Sequence, residues 1–319
     1  MMHFSRHRFW DRCLGLAATA GLVLCLTTVA GFLGRSHWTV DLFSHFRMQY
    51  LVGLGALTLL FLIARHGRIA LGFFVFTIVN LAVVVPLYVP GEWVREGVDS
   101  ESFRLMLINV NTREGDPERV VEAVGVEDPD LLVLEELSPR WKEAVGRLEA
   151  RYPHRRTVYR EDNFGIGLFS KLPLEDAHVL YVEDKPVPSI LAEVEAPSGR
   201  RFRVLATHPV PPVNQEYTRS RDVHLSALPG LVEEDMPTIL AGDLNTTPWN
   251  HGFKRLLKET GLENSMRGFG VQSTWPVRPF VLRIPLDHVL HSEEFRVVDR
   301  RVGSSVGSDH FPVIVDFMW

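Results

Sequence analysis

The chain has almost no cysteine. Its only two, Cys13 and Cys25, fall within one uncharged apolar stretch near the start. No disulfide and no cysteine-held metal is therefore available to the rest of the chain, which fits an oxidising or a reducing compartment equally. Long basic runs are missing too. Residues 100–319 carry 26 Lys+Arg against 34 Asp+Glu, a net of −8, and residues 1–99 carry 8 against 5, a net of +3, which together give the −5 of the whole. An acidic domain of this kind lacks the electrostatic footprint of a duplex-DNA binder. Walker and Rossmann fingerprints are absent, and no motif indicates a covalent nucleophile.

Residues 1–99 lack charge in three stretches, 13–34, 48–64 and 69–91. About 20 residues at 1.5 Å each cross a hydrocarbon core, so the first and third suffice. The second lies between Arg47 and Arg65 and works if those arginines snorkel. A cleaved signal peptide is the rival reading of the first stretch, but its uncharged run is too long and two further spans follow. Arg6, Arg8 and Arg12 precede the first span, and Arg65 and Arg68 separate the second from the third. The intervening loop has only Arg35 and Arg47, with Asp41. Positive-inside counting then places the N-terminus in the cytoplasm and residue 92 onward on the other side. The expectation is a multi-pass protein of a bacterial inner membrane, with residues 1–99 as anchor and 100–319 as an extracytoplasmic domain. The spans hold no Asp, Glu, Lys or Arg, and Asn80 is their one notable amide, which fits anchoring better than transport.

Within 100–319 one stretch organises the others: Leu240-Ala241-Gly242-Asp243-Leu244-Asn245. Residues 238–241 suit a buried strand, which Gly242 is expected to end. Asp243 and Asn245, two apart in extended backbone, would share one face and could orient a water and a phosphate oxygen together. Taken alone, Gly-Asp-Leu-Asn reads equally as a turn. The design recurs, however. Asn109 and Asn111 end an apolar run, as do Glu135-Glu136 and Thr207-His208. Asp287-His288 and Ser308-Asp309-His310 each precede one, and Asn163 opens a glycine-bearing strand, 165–170.

This set, in this order, resembles the endonuclease/exonuclease/phosphatase family, the metal-dependent phosphoesterases related to DNase I, over roughly residues 101–319. The resemblance implies an α+β fold, a four-layer αββα sandwich with its site at one rim. It implies that Asp243 orients or deprotonates the attacking water while Asn245 fixes the phosphate. His310 would contact the phosphate, Asp287 would fix the tautomer of His310, and His208 would support the leaving group. Asn109 and Asn163 would touch the phosphate. A divalent ion, Mg²⁺ or Mn²⁺, would sit on Glu136 with Asn111 and Asp309, all oxygen donors. Glu135 stands where the family usually has Gln. Adjacent strand positions face opposite ways, so only one of the two glutamates should enter the site.

The implied substrate is a phosphoester: a lipid head group, a nucleotide or a nucleic acid. A DNA or RNA nuclease is the alternative within the family. A non-catalytic membrane-tethered binding module is the alternative outside it, and that reading predicts missing site residues where here every position is filled. The short connector, 90–102, keeps the domain close to the bilayer, and its net charge repels polyanions. A small or lipid-linked phosphoester is therefore expected over duplex DNA, with Arg219, Arg221 and Arg283 as the local cations available to steer an anion. Locally, helices are expected at 117–124 capped by Asp116, at 138–148 capped by Ser138, at 215–228, and from Pro248 to about Lys258 capped by Thr247. A hairpin is expected at 190–194 and 201–206. Residues 268–283, with Trp275 and Phe280, read as a lid or a surface connection.

Overall fold

The computed structural model describes residues 2–91, 101–182, 186–232 and 235–319. The chain divides into two compact units, Met1–Pro86 and Leu87–Trp319. Most of the expected connector lies outside the described residues.

The first unit is helical: α1 (Met2–Ala30), the short α2 (Trp38–Asp41), α3 (Arg47–Ile63) and α4 (Gly67–Val84). Three helical stretches are long and apolar enough to cross a membrane, Phe9–Ala30, Trp38–Ile63 and Gly67–Tyr88. Arg47 does not snorkel as expected. It is 1% exposed and donates to the Thr28 carbonyl (2.9 Å) and to Asn80 Oδ1 (3.4 Å). Asn80 Nδ2 donates in turn to Thr28 Oγ1 (3.0 Å). The guanidinium finds acceptors on α1 and α4, so it ties three helices together instead of reaching for water.

The second unit holds twelve strands among the described residues: β1 (Ser102–Asn109), β2 (Leu131–Glu135), β3 (His154–Val158), β4 (Ile166–Ser170), β5 (Leu174–Tyr181), β6 (Pro188–Glu195), β7 (Arg201–Thr207), β8 (Thr238–Asp243), β9 (Glu263–Asn264), β10 (Asp287–His291), β11 (Arg296–Val302) and β12 (Val313–Met318). They form two six-stranded sheets, ordered β11-β12-β1-β2-β4-β3 and β5-β6-β7-β8-β10-β9. Only β1/β2 and β7/β8 pair parallel. Alternation along the strands builds the layers. Leu105, Leu107 and Val133 of one sheet meet Val204, Ala206, Ile239 and Ala241 of the other. Met106, Ile108 and Leu132 point outward against Val120 and Val124 of α5 (Pro117–Glu127) and Ala144 of the short α6 (Lys142–Gly146). Leu205, Leu240 and Leu290 point outward against Leu225 of α7 (Gln215–Ala227) and Phe253 and Leu256 of α8 (His251–Thr260). Strands covered on both faces read as continuous apolar runs, and the result is the αββα sandwich.

Local expectations fared unevenly. Asp116 caps α5, accepting from the Glu118 and Arg119 N–H groups. Ser138 caps nothing: its hydroxyl donates to the Thr112 carbonyl (3.3 Å), and 139–146 is a 3₁₀ turn leading into α6. Thr247 accepts the Asn250 N–H in a turn, and Asn250 is the residue that caps α8, accepting from Gly252 N (2.7 Å). Nor does Gly242 end β8, which runs on through Asp243. A side chain at 242 would collide with the Thr207 carbonyl and crowd the Glu135 carboxyl, so glycine there permits close approach of β7.

Candidate active site

Strand pairing gathers the polar strand ends at one rim. Asn109 is level with Glu135, Glu135 with Ile166, and Asp287 with Asp243. The chain leaves these ends by a shared device. Asn109 Oδ1 accepts the Asn111 N–H (3.1 Å), and Asp243 Oδ1 accepts the Asn245 N–H (2.9 Å). Asn111 (φ 56°), Asn245 (φ 49°) and Glu136 (φ 62°) are all left-handed. The pairs two apart therefore meet through side-chain-to-backbone turns, not through strand alternation. Asparagine tolerates this backbone, whereas a left-handed glutamate must be held. Glu136 is held by the Thr112 N–H on Oε2 (3.0 Å), Asn109 Nδ2 on Oε1 (3.2 Å) and the Thr112 hydroxyl on its carbonyl (3.1 Å).

One buried chain of contacts links five residues of the rim. Asn109 Nδ2 reaches Asp243 Oδ2 at 3.4 Å, and the same oxygen lies 3.6 Å from His310 Nε2 and 3.7 Å from His208 Nε2. His310 Nδ1 donates to Asp287 Oδ2 (2.9 Å). Burial alone would lower the His310 pKa, but the Asp287 and Asp243 carboxylates push it up to about 10, so this ring is an imidazolium at neutral pH. Burial works against the Asp287 carboxylate, yet the His310 charge and hydrogen bond hold it below its ordinary range. Burial raises Asp243 and lowers His208, which is neutral. Two histidines thus face one carboxylate in opposite charge states.

Asp309 sits beside this chain, accepting from Asn111 Nδ2 on Oδ1 (2.7 Å) and from the Trp275 indole on Oδ2 (2.9 Å). Ser308 donates to the Asn109 carbonyl (2.7 Å) and accepts the His310 N–H (3.0 Å), fixing the last turn. Of the two glutamates, Glu136 stands at the rim. Glu135 points between the sheets, fully buried, and accepts the Asp243 N–H (3.0 and 3.2 Å). Burial, then the charges of Asp243 and Asp287, raise its pKa well above the ordinary carboxyl range. A protonated Glu135 is neutral, as a glutamine would be.

Asn163 is exposed, on a turn whose next residue, Phe164, lies 5.5 Å from the His208 ring; its own side chain stands outside the buried network. Two arginines expected to steer anions are committed elsewhere. Arg221 is fully buried, donating to the Asn245 carbonyl (3.4 Å) and pairing with Asp222 (2.8 Å). Arg283 lies 4.7 Å over the Phe311 ring and donates to the Val277 carbonyl (2.6 Å). Thr112 carries no signal as a site residue in the sequence, whereas Ser308 stands in the Ser308-Asp309-His310 motif and Trp275 in the candidate lid, where a tryptophan needs an acceptor for its N–H. Gly303-Ser304-Ser305-Val306-Gly307 has Gly-x-Ser-x-Gly spacing. It is the loop between β11 and β12, not the strand-to-helix turn of a nucleophile elbow.

Carboxylates dominate this rim, and their mutual repulsion is what a hard cation relieves. Among the described residues, Asp243, Asp287 and His310 bring donor atoms within 4.8 Å of one another. In that trio His310 Nδ1 is already hydrogen-bonded to Asp287 Oδ2. Glu136, Asn111 and Asp309 offer oxygens of the kind that Mg²⁺ or Mn²⁺ takes.

Residues 106–310 match the model of the Endonuclease/Exonuclease/phosphatase family. No curated protein matches the sequence. Solved structures with a similar fold include an endonuclease/exonuclease/phosphatase from Beutenbergia cavernae DSM 12333, 21% identical over 68% of this chain and 71% of that one, with a TM-score of 0.57. The Neisseria 3′ phosphatase NExo bound to a product DNA hairpin is 20% identical over 68% and 100%, with a TM-score of 0.57. The human Nocturnin catalytic domain with bound sulfate is 19% identical over 69% and 96%, with a TM-score of 0.56. The family match spans well over half of the chain, on the same two sheets whose rim collects the Asn, Glu, Asp and His side chains, and the chain belongs to the Endonuclease/Exonuclease/phosphatase family, hydrolases of phosphoric ester bonds.

Proposed function

We propose that the protein is a membrane-anchored, divalent-metal-dependent phosphoesterase in which an activated water attacks phosphorus directly. The observation that carries this is the position of Asp243 Oδ2, buried between a cationic and a neutral histidine. The Asn245 N–H pins the other Asp243 oxygen, so Oδ2 is the one turned to the reacting water. Burial raises the basicity of this carboxylate, as a general base requires. His310, charged and oriented by Asp287, presents Nε2–H to a phosphoryl oxygen. His208 is neutral, and its Nδ1 has no hydrogen-bond partner among the described residues. It supports the leaving oxygen. Asn109 and Asn245 fix the phosphate, and Asn163 closes on it from the exposed turn. Mg²⁺ or Mn²⁺, held by Glu136 with Asn111 and Asp309, would neutralise charge on the phosphoryl oxygens.

The three apolar stretches support anchoring, and the arginine bias supports an extracytoplasmic catalytic domain in a bacterial inner membrane. Net charge supports a small or lipid-linked phosphoester over duplex DNA. One observation favours a nucleic-acid substrate instead, namely the product DNA hairpin bound to the similar 3′ phosphatase NExo. The test uses the full chain in detergent, with Mg²⁺ or EDTA, against bis-p-nitrophenyl phosphate, p-nitrophenyl phosphate, lipid vesicles and plasmid DNA. Metal-dependent cleavage of a small or lipid phosphoester is expected. Plasmid nicking at about 150 mM salt with no other turnover would establish the nuclease.

A further inference from the structure

Beyond Pro90, the described residues expose three consecutive large apolar side chains at one place only: Phe280 (75%), Val281 (55%) and Leu282 (49%). They form the tip of a loop that is fastened at its base. Trp275 N–H donates to the Ile284 carbonyl (3.0 Å), and Leu282 and Arg283 N–H groups donate back to Pro279 and Phe280 (both 3.1 Å). The loop is also bonded to the site, because the Trp275 indole meets the Asp309 carboxylate and the Val277 N–H meets the Asp309 carbonyl (2.8 Å). A second loop of this rim, the one after His208, exposes Val213. Apolar tips grouped around an active site are a contact surface, not a stray leucine or two.

The path of the chain says what lies against that surface. Residues 263–274 run along the edge of the second sheet. Glu263 is level with His291 at the end of β10, and the Thr274 hydroxyl accepts the Asp287 N–H at the rim. Leu87 accepts the Gly268 and Gly270 N–H groups (both 2.9 Å), Pro90 lies against Gly268, and Gly91 lies against Glu263. Between 87 and 91 the chain therefore travels away from the rim. The third candidate span closes at Tyr88, among the first residues of the catalytic unit, so a bilayer crossed by that span lies within reach of this unit's surface.

We infer that the active-site rim rests on a lipid surface through the 276–283 loop, and that the substrate is a phosphoester carried by a lipid. The second half of this rests on the hydrolase mechanism proposed above. An aromatic and two aliphatic side chains enter the boundary between head groups and acyl chains, and the exposed, flanking Arg278 meets anionic head groups there. A single-stranded nucleic acid would stack its bases on aromatic faces, which Val281 and Leu282 do not offer.

The test uses the full chain with Cys13→Ala and Cys25→Ala, reconstituted in bilayer nanodiscs of phosphatidylglycerol and phosphatidylcholine. A spin label at Val281→Cys is compared with one at Val126→Cys, an exposed position on α5. The label at 281 is expected to be shielded from an aqueous nickel chelate and open to oxygen. Access to the chelate equal to that at 126, or shielding by a DNA hairpin in place of the bilayer, overturns the inference. In parallel, Phe280→Ser/Val281→Ser/Leu282→Ser should keep turnover of soluble bis-p-nitrophenyl phosphate within about twofold while losing about tenfold on bacterial polar-lipid vesicles, read by mass spectrometry of the lipid products. Equal turnover by variant and wild type on both substrates, or a wild-type enzyme that cleaves the soluble diester and leaves every lipid intact, removes the lipid substrate. Absence of turnover of both the soluble diester and the lipids in the wild type defeats the hydrolase mechanism and leaves the label to decide the surface. If the triple variant does not fold, the label decides alone.

Discussion

The two ends of the sandwich are made by the same strands and differ in almost everything else. At the end away from the site, Phe103 of β1, Phe202 of β7 and Phe317 of β12 join Phe295 and Trp319. Their ring centroids are 5.2 Å apart for Phe103 and Phe202, and 5.3 Å for Phe103 and Phe317. Next to them, Arg104 grips Asp316 with two hydrogen bonds (2.6 and 2.9 Å). At the rim the same β1 ends in Asn109, and its neighbours turn through left-handed Asn111, Glu136 and Asn245. Charges are buried there, and polar atoms such as His208 Nδ1 and Asp287 Oδ1 have no hydrogen-bond partner among the described residues. One end is packed from aromatic rings and an ion pair; the other turns through left-handed backbone and buries charge. Strain at a site persists when the rest of the fold over-determines it, so the aromatic end is what lets the rim keep its chemistry.

If the ends divide the labour in this way, variants at each should leave the other's property alone. Phe202→Ala removes the ring at the centre of the aromatic cluster and should cost about 3–5 kcal/mol of stability. Below the variant's melting temperature, the rate per folded molecule should stay near wild type. A melting curve paired with an activity assay at low temperature checks this, and a large fall in rate at full folding would break the division. Asp243→Asn is the converse. It should lower turnover by on the order of 10²-fold or more while leaving the melting temperature unchanged or higher, since a buried charge is lost. Full activity would remove Asp243 from the mechanism.

The rim should also behave as a unit. His310→Ala and Asp287→Ala each break the 2.9 Å pair, so the double variant should lose little more than the worse single one. The pair carries a pH signature too. The His310 pKa is raised to about 10, so its stabilising contribution is complete below the ordinary histidine range and fades as pH rises through 10. Activity carried by a cationic His310 should therefore fail on the alkaline side near that value. A pH–rate profile checks this, and activity that persists well above pH 10 would show that His310 works uncharged.

The sequence already displayed the apolar strands, their order and the polar residue at each strand end, because those are set by local pattern and position. It could not display how the ends turn. Asn111 and Asn245 were placed by strand alternation, whereas Asn109 and Asp243 bend the backbone with their own side chains, and that competition is invisible in a two-residue spacing. Trp275 and Asp309 meet across 34 positions, which no local motif records. Ser138 and Thr247 looked like caps because each precedes a proline, but tertiary partners claimed them first. Asn163 shows the limit from the other side: its turn reaches the rim, yet nothing in its short motif says where an exposed side chain will point.

Glu135 offers the finest comparison, since it belongs to neither end. It lies between the sheets under the rim, a carboxyl where only neutrality is tolerable. Its folded pKa is raised, so between the ordinary carboxyl range and that raised value the folded protein holds a proton that the unfolded chain has released. Stability must then fall as pH rises through this interval, by up to about 1.4 kcal/mol per pH unit. Glu135→Gln keeps the shape and the neutrality and titrates nothing. Its melting temperature should equal that of the wild type near pH 5 and exceed it progressively above, measured in EDTA so that metal binding adds no slope. Asp243 gains no new partner in this variant, so turnover at neutral pH should change by less than about threefold. Parallel melting curves for wild type and variant from pH 5 to 9 would show that Glu135 is ionised in the fold, and the buried carboxyl would then have to be read as part of the charged rim above it.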